Sequence, residues 1–271
     1  MPTVEVNGVD IWYRFSGEGE TVVQIGGAVS AHEGYETITP GLSEHYRVLD
    51  YDHRGYGLSS RPDQHYTLEV WSADLAALMD VLGVEKAHVH GGSMGSFIAL
   101  DFAARYPQKV DKLVMGAGAV AKCDAMGVHM FRIWQYIASA YGVASEELAR
   151  ELLTKAFARP FLDEMGEEIL WATRDVLERN TELSVFIDAC QAMIDTDVRD
   201  VLPLVAAPAL VMVGRHDILT PIDAGPDGAG ARYVAENLPN GRMEIFEHSG
   251  HAHYVEEAGR SIEVILDFLA G

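Results

Sequence analysis

Cysteine is almost absent from this chain of 271 residues, which carries only Cys123 and Cys190. Two thiols cannot build a disulfide framework and suit a reducing cytoplasm, the location expected here. Basic residues are scarce as well: 20 Lys and Arg stand against 41 Asp and Glu, for a formal net charge of -21 and a pI near 4.7. Such a surface repels polyanions, which excludes nucleic acid as a partner. No apolar run is long enough to span a membrane, so no membrane partner is expected. The opening MPTVEVNGVDIWYRF lacks the basic start and apolar stretch of a secretion signal. Repeats and low-complexity tracts are missing too.

Hydrophobic residues at 48% and charged residues at 23% are ordinary for a folded chain. The length allows one large domain or a domain with an insertion. β-Rich segments at 4–6 and 11–15 flank Asn7-Gly8, a dipeptide suited to a tight hairpin. Further strands are expected at 21–25, 47–51, 86–90, 112–115, 209–213 and 242–247. Helical spacing runs over 68–82, 97–106 and 254–269. Strands alternating with helices predict an α/β fold with a doubly wound, mostly parallel sheet. Between 119 and 201 the alternation stops and the sequence turns helical, acidic and rich in large apolar residues. This stretch is expected to form an inserted helical cap, with the core domain made of 1–118 and 202–271. Met126, Met130, Phe131, Trp134, Tyr136, Phe157, Phe161, Trp171, Phe186 and Met193 are either pocket lining or the cap's own core.

Gly91-Gly92-Ser93-Met94-Gly95 falls between the strand at 86–90 and the helix at 97–106. A serine in such a strand-to-helix turn is lifted above the sheet edge, and the glycines two before and two after it supply the missing bulk. The following helix N-terminus favours negative charge at that point. A serine hydroxyl needs a base, and the base a third group to orient it. Two later strands end close to suitable side chains, Asp217 in Gly214-Arg215-His216-Asp217 and His251 in Ser249-Gly250-His251. The order Ser, Asp, His, each past a strand end, is that expected of a nucleophile elbow.

On these motifs the chain resembles α/β-hydrolase fold enzymes over essentially its whole length. The resemblance implies Ser93 as nucleophile, His251 as base and acid, and Asp217 as the carboxylate that fixes the imidazole. It also implies the backbone N–H groups of Ala28 and Met94 as the oxyanion hole, although many relatives carry His-Gly where this chain has Gly26-Gly27. No cofactor or metal is expected. His253 is the nearest rival to His251, Asp124 the rival to Asp217, and His88 with His90 a pair that shares one strand face. Gly116 to Ala121 mimics a dinucleotide fingerprint without its context. The glycine-rich stretch 225–230 reads as a flexible loop.

The expected activity is hydrolysis of a small, largely apolar carboxylic ester or lactone through an acyl-enzyme. The elbow also resembles those of proline iminopeptidases and of carbon-carbon bond hydrolases of ring-cleavage products, although Ala252 stands where the latter usually have Trp. A perhydrolase or haloperoxidase side activity would use the same residues. A slow or non-catalytic small-ligand receptor is the alternative from another class.

Overall fold

Asn7 and Gly8 both take positive φ angles, 48° and 77°, and reverse the chain into an antiparallel hairpin of β1 (Thr3–Val6) and β2 (Val9–Ser16). In this computed structural model, residues 2–226 and 228–271 are described; Met1 and Asp227, the latter within the glycine-rich loop, lie outside them. The other strands are β3 (Thr21–Ile25), β4 (Arg47–Tyr51), β5 (Ala87–Gly92), β6 (Val110–Gly116), β7 (Ala209–Gly214) and β8 (Gly241–Phe246). The described residues form one sheet of eight strands in the order β1-β2-β4-β3-β5-β6-β7-β8. It is antiparallel where β2 meets β1 and β4, and parallel from β4 to β8. This is the doubly wound, mostly parallel sheet expected.

Every residue of β5 and β7 is buried, as parallel strands covered on both faces must be. Alternate residues face opposite layers. Val23, Leu49 and Val89 belong with α2 (Leu68–Val81) and α3 (Met94–Arg105), while Val22, Val48 and Val114 share a second cluster with α1 (Thr39–Ser43) and the final helix.

Between β6 and β7 lie α4 (Ala125–Tyr141), α5 (Glu146–Ala156), α6 (Arg159–Met165), α7 (Glu168–Asn180) and α8 (Leu183–Asp195). Asp124 and Ser145 cap α4 and α5 by accepting N–H bonds from Gly127 and Leu148, at 2.8 and 3.3 Å. The inserted segment enters and leaves at one neck. There Lys122 bridges Asp197, and Val198 N–H donates to Ala121 C=O at 2.7 Å. Leu148, Leu177 and Phe186 of the insertion share a continuous core with Val89 and Phe97 of the sheet layer.

Several elements differ from their sequence reading. The strand at 86–90 continues through Gly91 and Gly92, whose backbones still pair with Met115 and Gly116, because a β ladder needs no side chains. The closing helix is two helices, α10 (His253–Glu256) and α11 (Ala258–Ala270), broken at Glu257, a one-residue interruption that periodicity cannot register. Short α1 and α9 (Ala231–Asn237) carry too few turns to show a periodic pattern. No helix among the described residues is long and apolar enough to cross a membrane.

Phe186 is fully buried where the insertion meets the sheet layers. Phe186→Ala is expected to destabilise the protein by about 3–5 kcal/mol, seen as a lower urea midpoint. A loss under about 1 kcal/mol would mean that this junction is not part of the cooperative core.

Candidate active site

Ser93 sits at φ 55° and ψ -122°, a backbone conformation that L residues rarely adopt. Its surroundings hold it there. Ser93 N–H donates to Gly116 C=O at 2.9 Å, and Ser93 C=O accepts from Ser96 N–H at 2.8 Å. A Cβ on Gly91 would fall 2.1 Å from Gly95 O, and one on Gly95 would fall 2.1 Å from Ile25 O. The motif's two outer glycines are therefore required by close backbone approach. Within residues 91–100 Ser93 is the one residue that is not buried.

Asp217 and His251 are joined: His251 Nδ1 lies 2.9 Å from Asp217 Oδ2, with both residues buried. Asp217 Oδ1 accepts the N–H groups of Leu219 and Thr220 at 2.8 and 2.9 Å. Burial alone would push this carboxyl up. The charge and hydrogen bond of His251, with the Thr220 N–H and hydroxyl, outweigh it and hold Asp217 below the usual carboxylate range. An ionised Asp217 fixes the proton on Nδ1, which leaves Nε2 free to accept one.

Thr220 ties this pair to the elbow. Its hydroxyl is 2.8 Å from Asp217 Oδ2, 3.2 Å from His251 Nδ1 and 2.5 Å from Ala117 C=O. Ala117, itself at φ 54°, directly follows Gly116, the partner of Ser93 N–H. The carboxyl ends of β5, β6, β7 and β8 thus bring Ser93, Ala117, Asp217 with Thr220, and His251 to one end of the sheet. Ser93 Oγ makes no hydrogen bond to another described residue, so the structure joins two of the three expected side chains directly and the third through backbone.

The rivals have other work. His253 is buried and pushed down to about 3 by burial, and it accepts the Ala117 N–H on Nε2 at 2.9 Å with Ser261 Oγ 3.1 Å from Nδ1. That neutral ring braces the left-handed Ala117. His90, also lowered to about 3 by burial, lies with Nε2 2.5 Å from the Tyr254 hydroxyl. His88 is nearest to Glu20 and Asp111, at 3.8 and 3.6 Å. Asp124 is spent on capping α4. Among the described residues no group of three or more His, Cys, Asp or Glu could hold a metal ion.

The turn after β3 rests against the elbow, since a Cβ on Gly27 would come within 3.3 Å of Ser93 Cβ. Neither Ala28 N–H nor Met94 N–H donates to another described residue. Ser30 Oγ, which accepts the Gly27 N–H at 3.3 Å, braces the turn where relatives use His-Gly. Beside the dyad is a small cavity lined by Val120, Asp124, Met126, Phe131, Met193 and Leu219, with Thr220 at its dyad end. Of the other apolar residues considered for the pocket, Met130, Trp134 and Phe186 are buried, whereas Tyr136 and Trp171 are 70% and 55% exposed.

Two supports were not legible in sequence. Thr220 is one. Glu256 is the other: its carboxylate accepts Gly250 N–H and Ala158 N–H, each at 2.9 Å, fastening the base loop to the insertion. Its partner Ala158 lies 98 positions away along the chain, beyond the reach of any local pattern.

A family model described as alpha/beta hydrolase fold matches residues 20–139. The chain is 29% identical to a 2-hydroxy-6-oxo-2,4-heptadienoate hydrolase of Pseudomonas putida, over 98% of this chain and 95% of that protein. It is 30% identical to a 2-hydroxy-6-oxo-6-phenylhexa-2,4-dienoate hydrolase of Comamonas testosteroni, over 96% of this chain and 91% of that one. Among solved structures it superposes on an enol-lactonase from Burkholderia xenovorans with a TM-score of 0.88 and 26% identity, each chain covered over 100%.

Because the folded pKa of Asp217 lies below its unfolded value, its ionisation stabilises the fold above the unfolded pKa, and that contribution is lost as pH falls through the folded one. From about pH 5 downward the wild type should lose stability more steeply than Asp217→Asn, measured by urea unfolding at each pH. Parallel pH curves for the two proteins would contradict the buried charge.

Proposed function

The chain belongs to the α/β-hydrolase fold family and is an enzyme of that type; from this premise we propose that Ser93, His251 and Asp217 act as nucleophile, base and orienting acid on a small, neutral, largely apolar carboxylic ester or lactone. The observation that carries this reading is the joined Asp217–His251 pair at the same end of the sheet as Ser93, the one half-exposed residue of its turn.

Ser93 Oγ bonds to the carbonyl carbon as its proton passes to His251 Nε2. The oxyanion takes hydrogen bonds from Met94 N–H and Ala28 N–H, both unspent. Collapse breaks the bond to the leaving oxygen, which receives the proton from His251. Water then attacks the acyl-enzyme, giving its proton to His251, and the acid departs as Ser93 regains its hydrogen. We assign residues 119–201 as a cap that shapes the acyl pocket over the core of 1–118 and 202–271.

Substrate charge is where the cavity speaks. The cavity next to the dyad, which Thr220 lines and Ser93 and His251 do not, holds one carboxylate, Asp124, and no Lys or Arg, so the side of the site nearest Thr220 offers no cation to an anionic substrate. The second reading is carbon-carbon bond hydrolysis, supported by the names of the Pseudomonas and Comamonas relatives, whose dienoates bear a carboxylate.

A neutral aryl ester, a lactone, a 2-hydroxy-6-oxo-dienoate and an aminoacyl arylamide, assayed side by side, separate these readings. Turnover of the first two is expected, reduced at least about 10³-fold in Ser93→Ala. Turnover of the dienoate alone would establish the carbon-carbon reading, turnover of the arylamide alone the aminopeptidase one, and full activity in Ser93→Ala would remove the nucleophile.

A further inference from the structure

The stretch from Asp52 to Ser59 reaches the site without entering its chemistry. Asp52 collects the His32 N–H, the His32 Nδ1 and the Leu58 N–H within 2.8 to 2.9 Å, folding this stretch against the segment that follows β3. At its centre Tyr56 is fully buried, and its hydroxyl donates to Ala28 C=O at 3.0 Å. Its neighbour Gly57 meets the end of α7, donating its N–H to the Asn180 C=O at 3.0 Å.

A second connection spans the same two places. Glu33 Oε1 accepts the Ala31 N–H at 2.9 Å and also the side-chain amide of Asn180, the last residue of α7. Asn180 is buried, only 5% exposed, and its carbonyl accepts Gly57 N–H at 3.0 Å. The turn carrying Ala28 is thus held from two sides, by Tyr56, whose neighbour Gly57 bonds the Asn180 carbonyl, and by Glu33, which bonds the Asn180 amide. A buried amide and a largely buried carboxylate are costly unless paired, so each makes the other's placement specific.

We propose that Tyr56 and Glu33 are positioning residues that latch the turn carrying Ala28 to the Asn180–Thr181 end of α7, so that the seating of the helical insertion sets the aim of the Ala28 N–H. The inference rests on the reading above, in which that N–H receives the oxyanion. An amide displaced by a fraction of an ångström still allows substrate to bind but meets the developing charge poorly, so the loss falls on kcat and spares KM.

The test uses the neutral ester and four variants, Tyr56→Phe, Glu33→Ala, Glu33→Gln and Asn180→Ala, with kcat, KM and inhibition by an arylboronic acid, which forms a tetrahedral adduct on the serine. Tyr56→Phe and Glu33→Ala are expected to lower kcat about 10-fold with KM within about twofold, and to weaken boronate inhibition by the same factor as kcat. Glu33→Gln, which keeps an acceptor oxygen, should recover most of that loss. Asn180→Ala combined with Glu33→Ala should be no worse than either alone, as expected for one shared contact. Wild-type kcat and boronate affinity in both Tyr56→Phe and Glu33→Ala would overturn the latch while leaving the triad in place. If Tyr56→Phe does not fold, Glu33→Ala with its Gln rescue decides alone. A wild-type protein inert to the ester and insensitive to boronate would remove the hydrolase reading, and the latch with it.

Discussion

A carboxylate taken out of water has to be met by fixed positive or donor groups, and the placement of Asp217 organises this end of the molecule. Removing one member of a buried ion pair typically leaves an uncompensated charge worth about 3–5 kcal/mol. Here the compensation is local: two backbone N–H groups on one oxygen and the imidazole on the other, with the Thr220 hydroxyl 2.8 Å away. Meeting that charge fixes the turn after β7, the orientation of the His251 ring and the nitrogen that carries its proton. The same Thr220 hydroxyl reaches Ala117 and so carries the constraint to the neighbouring strand.

The elbow shows the complementary device, strain held by packing. Ser93 and Ala117 both have positive φ angles, and each is pinned by hydrogen bonds to an adjacent strand or helix. The glycines around Ser93 let three backbone segments approach more closely than any side chain would allow. Pre-paid distortion of this kind is expected where a reactive group must be presented without waiting for a conformational change. The segment between β6 and β7 lines a cavity beside the dyad, and its bonds to Glu256, Glu33 and Gly57 tie it to the loops around the site.

Much of this was legible before any coordinates, for reasons that differ by element. Buried parallel strands write themselves as apolar runs, so β3 and β4 match their expected limits residue for residue. Ser93, Asp217 and His251 are expected as a set because each follows such a run within a recognisable local pattern, and the structure joins the last two. What could not be read was contact across the chain. Nothing near Thr220 announces a partner in Ala117, and nothing near Tyr56 announces Ala28. His251 and His253 stand two positions apart in one loop, and their partners separate them: the Asp217 carboxylate for His251 and the Ala117 N–H for His253.

The central claim is that Ser93 is a nucleophile activated by His251. Reaction with a fluorophosphonate, followed by peptide mapping in the mass spectrometer, tests it directly. A single adduct on Ser93 is expected, forming at least about 10³-fold more slowly in His251→Asn. An adduct elsewhere, or a Ser93 labelling rate indifferent to loss of the imidazole, would contradict the account.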